Sequence, residues 1–150
     1  MERFRVVPAA YVFLRRGSEV LLQLREGTGF MDGHWAAAAA GHIEEGETPM
    51  RAACREAREE LGIEIHEHDL IPLTAMQRTQ QNHESIDERV DFFFSCTKWT
   101  GEPSLQERQK AADLGWFDLA ALPHPMVPHE QFVLDQLNAE TLIPIVTFGF

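Results

Sequence analysis

The chain has 150 residues, a hydrophobic fraction of 44% and a formal net charge of −11. That length suits one domain with a proper core, and the acidic excess argues against gripping nucleic acid polymers, which takes clustered Lys and Arg. No run approaches the ~18 apolar residues of a membrane span, and MERFRVV is no secretory leader, so a cytoplasmic setting is expected, with Cys54 and Cys96 as reduced core residues.

Arg5–Arg16 and Glu19–Arg25 are rich in strand formers and are separated by Gly17-Ser18, the pattern of a hairpin. Glu26–Gly33 carries three glycines and is expected to be a loop. His34, Trp35 and the alanines 36–40 follow. Polyalanine favours helix, but a run this short between a glycine-rich loop and Gly41 is too short for one, so a single short strand is expected. Trp35 is read as a core aromatic.

Thr48-Pro49 is a helix start, because Thr can cap free N–H groups and Pro is tolerated in the first turn. Nothing breaks the helix from Met50 to Leu61, and Gly62 suits the left-handed turn that ends one. At about 100° per residue the side chains sort into stripes. Met50, Ala53, Cys54, Ala57 and Leu61 are apolar; Arg51, Arg55 and Arg58 are basic; Glu56, Glu59 and Glu60 are acidic. The small residues of the first stripe suit close approach to a sheet. The acidic stripe is costly. Like charges three and four apart repel by ~0.2–0.5 kcal/mol per pair, and all three lie where the helix dipole disfavours negative charge. A divalent cation removes both penalties, and hard cations such as magnesium favour carboxylate oxygens.

Beyond the helix, Leu70–Gln80 reads as a strand, Gln80–Glu88 as a polar loop, and Arg89–Trp99 as a buried central strand whose Phe92, Phe93 and Phe94 are core. Thr100–Lys110 is a loop, Leu114–Leu119 a strand, and His129–Leu137 a second helix. Leu142–Phe150 is an apolar tail that suits an extra strand, a core cover or a partner contact; a homodimer is compatible with it. Two helices among about seven strands imply a mixed sheet between helices.

The spacing from Gly41 through Glu47 to Arg55-Glu56-Ala57-Arg58-Glu59-Glu60-Leu61-Gly62-Ile63 resembles the signature of the Nudix hydrolases. Gly101-Glu102-Pro103 followed by Glu107 resembles the MutT-type members, as does Trp116-Phe117 before an Ala-Leu-Pro stretch. The likeness covers roughly the whole chain. It departs at Ala57, where the family favours a bulkier residue, and at Ala36–Ala40, where the family commonly has Pro-Gly or Gly-Gly before the loop glycine.

The resemblance implies an α/β fold, the α/β/α sandwich with a mixed sheet, formed by residues 1–150 as a single domain. It implies metal binding by Glu56, Glu59 and Glu60 with the Gly41 carbonyl, and a supporting salt bridge between Glu47 and Arg55. It implies a further glutamate in the loop, Glu107. The ion is magnesium, with manganese as the alternative. Either Glu59 or Glu107 takes a proton from the attacking water, and Arg25 and Arg78 are candidates for holding phosphate. The reaction implied is cleavage of a diphosphate linkage in a nucleoside diphosphate attached to another group. The short MutT-like chain favours a nucleoside triphosphate, oxidised ones included, giving monophosphate and pyrophosphate. The alternatives are a nucleoside diphosphate sugar or alcohol, or a non-catalytic nucleotide-binding module, against which the intact glutamates argue.

Overall fold

A computed structural model describes residues 2–150. In chain order these form β1 (Val7–Arg16), β2 (Glu19–Arg25), β3 (Trp35–Ala37), β4 (Ala39–His42), α1 (Pro49–Leu61), β5 (Ile71–Arg78), β6 (Arg89–Cys96), β7 (Ala111–Asp118), α2 (Pro128–Asn138) and β8 (Ile145–Phe148). The strands run β3-β2-β1-β6-β5-β8, with β4 on β1 and β7 on β2. β1 lies parallel to β6 and β8 parallel to β5, while β5 and β6 are antiparallel, so the sheet is mixed.

β1 organises the molecule through its period-2 alternation. Ala10, Val12 and Leu14 face the cluster that includes Ala53, Ala57 and Leu61 of α1. Ala9, Tyr11 and Phe13 face the cluster that includes Val133 and Leu134 of α2. The two helices therefore cover opposite faces, which is the expected α/β/α sandwich. Phe13 and Phe93 are fully buried on the α2 side, each contributing about 2–3 kcal/mol of transfer free energy as an upper estimate. Phe94 belongs to the α1 side, and Phe92 is only partly buried.

The alanine run differs from expectation. It forms two strands, not one: β3 pairs with β2 and β4 pairs with β1, with Ala38 between them. Ala36 to Ala39 are all buried. A chain crossing from one strand pair to another under a packed helix has no room for larger side chains, which accounts for alanine here and for Ala57 facing the same cluster. The C-terminal tail supplies β8 on the outer edge of β5.

α1 has the expected bounds. Thr48 Oγ1 accepts from the Arg51 N–H at 3.1 Å, and Gly62 closes the helix in the left-handed region at φ 70°. The loop between β6 and β7 is pinned to the end of α1: the Ser104 and Gln106 N–H groups donate to the carbonyls of Leu61 (3.1 Å) and Glu60 (3.0 Å). No helix among the described residues is long and apolar enough to cross a membrane.

Candidate active site

The acidic stripe of α1 turns towards β4. The Ala40 N–H donates to Glu60 Oε2 at 2.6 Å, and a Cβ on Gly41 would collide with the Glu56 carboxylate. Gly41 therefore leaves room for that carboxylate, in an extended strand, rather than serving a left-handed turn. Its carbonyl is not the one offered to the carboxylates. The Ile43 N–H bonds to the Pro8 carbonyl, and Ala10 is registered opposite Gly41, so by antiparallel alternation Gly41 exchanges its hydrogen bonds with Ala10. Ala40, one residue earlier, directs its backbone groups away from β1 and towards Glu60. The Gly41 carbonyl, expected among the metal ligands, is thus turned to β1, while the Ala40 backbone faces the glutamates.

Burial raises the Glu60 carboxyl well above its ordinary value, against the Ala40 N–H, and the negative fields of Glu56 and Glu107 raise it further. Burial also raises Glu56, opposed by the Arg55 guanidinium. Arg55 is the hub of the site. Its Nε and Nη2 donate to both oxygens of Glu47 at 2.6 and 3.0 Å. Its Nη1 donates to Glu56 Oε1 at 2.7 Å and to Glu59 Oε2 at 3.1 Å, and Nη2 also reaches the His42 carbonyl. Hydrogen bonding from Arg55 lowers the Glu47 carboxyl to about 2. The pair locks the loop before α1 onto the helix, so the Glu56 side chain has little freedom, and only 13% of it is exposed.

Glu59 stands apart from the other two: it leans on Arg55, with 48% of its side chain exposed. Among the described residues no three acidic, His or Cys side chains meet at metal-ligand spacing. This still fits magnesium, which is held by one or two carboxylates and keeps waters or substrate oxygens for the rest of its shell. Glu56 and Glu60, both raised by burial, lie beside an outward-facing backbone edge and could supply that donor set. Glu107 lies on the pinned loop close enough for its charge to act on Glu60, and its Oε2 pairs with Lys110 Nζ at 3.1 Å.

The two arginines expected at phosphate are otherwise engaged. Arg25 folds over its own loop, donating from Nε to the Phe30 carbonyl (2.8 Å) and from Nη2 to Thr28 (3.0 Å). Arg78 is buried on the opposite face with Met76, and its Nε donates to Asp91 Oδ2 at 2.8 Å. That corrects its reading as an exposed phosphate ligand: β5 places it in an internal ion pair. Around it lie residues that sequence reasoning did not single out. Tyr11 and His129 are hydrogen-bonded at 3.1 Å, and burial pushes His129 well below its ordinary value. Glu130 Oε1 accepts from the Ala37 N–H at 2.7 Å, and burial raises its carboxyl to about 7. The signals available were an aspartate inside an otherwise apolar strand and a His-Glu pair opening a helix. On the outer flank of α1, a surface cavity of about 440 Å³ lies between Arg51, Cys54, Arg58 and Glu67. Burial pushes the Cys54 thiol to about 11, so it is no thiolate nucleophile.

The NUDIX domain profile matches residues 5–137. The chain belongs to the Nudix family. It is 28% identical over 116 residues to the 8-oxo-dGTP diphosphatase of Proteus vulgaris, covering 77% of this chain and 95% of that protein. Its fold superposes on a MutT Nudix hydrolase from Burkholderia pseudomallei with a TM-score of 0.80 and 26% identity, covering 89% of this chain and 98% of the other. The E. coli ORF135 protein shares the fold at a TM-score of 0.71 and 22% identity, over 91% of each chain. This Nudix protein is accordingly a MutT-like hydrolase acting on phosphoanhydride bonds, in a family that generally uses divalent metals.

Proposed function

We propose that the chain acts as one domain and is a magnesium-dependent pyrophosphohydrolase of nucleoside triphosphates, oxidised purine triphosphates included, releasing a monophosphate and pyrophosphate. The observation that carries the metal dependence is Glu56 and Glu60 lying together, partly buried, beside Ala40 and within the field of Glu107. The substrate class is supported by the likeness to an 8-oxo-dGTP diphosphatase over nearly that protein's whole length.

Glu56 and Glu60 would hold the ion, with the Ala40 carbonyl facing the same edge. A bound magnesium supplies charge neutralisation for the diphosphate oxygens and a more acidic water. Arg55, anchored by Glu47, keeps Glu56 in place and draws Glu59 to the rim of the site. Either of two carboxylates would take the proton of the attacking water, Glu59 from the helix or Glu107 from the loop. The water oxygen bonds to phosphorus, and the bond to the bridging oxygen breaks, leaving pyrophosphate.

The test is a panel of nucleoside triphosphates, 8-oxo-dGTP, nucleoside diphosphate sugars and nucleoside diphosphate alcohols with magnesium or manganese, products separated by chromatography. Monophosphate and pyrophosphate from a triphosphate are expected. Turnover confined to sugars or alcohols would reassign the substrate, and no turnover anywhere would point to a binding module. Glu59→Gln and Glu107→Gln then separate the two bases: the true one loses about 100- to 10,000-fold in kcat.

A further inference from the structure

Lys110 closes the loop that carries Glu107. Its N–H donates to the Glu107 carbonyl at 2.9 Å, and its own carbonyl accepts from the Glu26 N–H at 3.0 Å. A side chain on Gly27 would run into the Gln109 carbonyl, so the two loops are in close contact there. The backbone is held on both sides while the side chain is 61% exposed. Its ammonium lies 3.1 Å from Glu107 Oε2, and the charges of Glu60 and Glu56 also act on it. With Glu107 its only side-chain partner among the described residues, the ammonium keeps donors to spare.

The arginine beside the carboxylates and the two expected at phosphate are committed. Arg55 is saturated by Glu47, Glu56, Glu59 and the His42 carbonyl, Arg25 holds its own loop, and Arg78 is internal. A polyphosphate approaching this cluster meets carboxylates first, and a mobile point charge at the rim is what offsets that repulsion.

We propose that Lys110 is a phosphate-binding residue that leaves Glu107 for a phosphate oxygen when substrate enters, freeing the Glu107 carboxylate at the same moment. This rests on the function proposed above. In the free protein the same ammonium screens the acidic cluster, so Lys110 couples loading of the site to release of a potential base.

The experiment compares wild type, Lys110→Met and Lys110→Arg in three measurements. These are calorimetric binding of inorganic pyrophosphate with magnesium, binding of Mn²⁺ alone, and steady-state kinetics on the best nucleotide of the panel. Lys110→Met is expected to weaken pyrophosphate binding and raise KM by about 10- to 100-fold, the scale of one charge-assisted hydrogen bond. It is expected to leave Mn²⁺ binding equal to wild type or tighter, and Lys110→Arg is expected to recover most of the loss. A residue that merely braces the loop would instead weaken Mn²⁺ and pyrophosphate together, and that result overturns the proposal. So does pyrophosphate binding and KM unchanged in Lys110→Met while wild type turns nucleotide over. If wild type neither binds pyrophosphate nor turns over any nucleotide, the proposed function itself fails and takes the lysine's role with it.

Discussion

Against α2, Asp91 is wholly buried and closes on the Arg78 guanidinium at 2.8 Å, with His129 held by Tyr11 close by. Against α1, Glu60 has a peptide N–H and two like charges for company. Both faces of the sheet contain acidic groups withdrawn from water. In the first set Arg78 balances the Asp91 charge, although Asp91 Oδ1 has no hydrogen-bond partner among the described residues, and such an internal pair serves architecture. In the second set Arg55 and Lys110 pair with Glu56, Glu59 and Glu107, but Glu60 has no cation of its own among the described residues, and that shortage costs stability unless something from outside supplies the charge.

The strongest way to break the comparison is on the architectural side. Asp91→Ala leaves the Arg78 guanidinium buried and unpaired, and is expected to cost about 3–5 kcal/mol in chemical denaturation. Turnover per folded molecule should be little changed. A neutral Asp91→Ala, or one that lost activity while staying stable, would show that the α2-face charges are not structural.

A middle effect is expected at the hub. Arg55→Lys keeps the charge but loses the planar fork that grips both Glu47 oxygens while reaching Glu56. Metal-dependent turnover should fall about 10- to 100-fold with little change in the unfolding midpoint of metal-free protein.

The smallest effect concerns pH. Glu130 has a folded-state value of about 7 against an ordinary 4.5, because burial favours its protonated form. Its contribution to stability is fully present below 4.5 and is lost as pH rises through 7. Glu47, lowered to about 2 by Arg55, has the opposite sign: its contribution is present above 4.5 and lost as pH falls towards 2. Glu130→Gln keeps an acceptor for the Ala37 N–H, so it should flatten part of the stability loss between pH 4.5 and 7 and leave the acid limb alone. Thermal midpoints of metal-free protein across pH check this, and an unchanged slope would contradict it.

The parts of the fold readable in advance were those set by neighbours in the chain. Thr48, Pro49 and Gly62 bracket α1 at its observed ends because capping is local. The glutamate stripe was legible for the same reason, since a helix decides from spacing alone which side chains share a face. What the spacing could not decide was which members of the stripe point inward. Glu59 leans outward on Arg55, while Glu56 and Glu60 are the more buried members. Arg78 looked like any exposed arginine until the pairing of β5 with β6 placed it beside Asp91. Glu130 and Ala37 lie 93 residues apart in sequence and meet only once the sheet is closed. Which backbone groups face the glutamates hinged on strand register, where moving one residue turns them to the other side.

The central claim is that Glu60 belongs to a site completed by a divalent ion, and Mn²⁺ titration of wild type against Glu60→Gln tests it most directly. The expected result is an affinity at least about tenfold weaker in the variant, with a metal-free unfolding midpoint no lower than wild type. Equal Mn²⁺ affinity in the two proteins would contradict it.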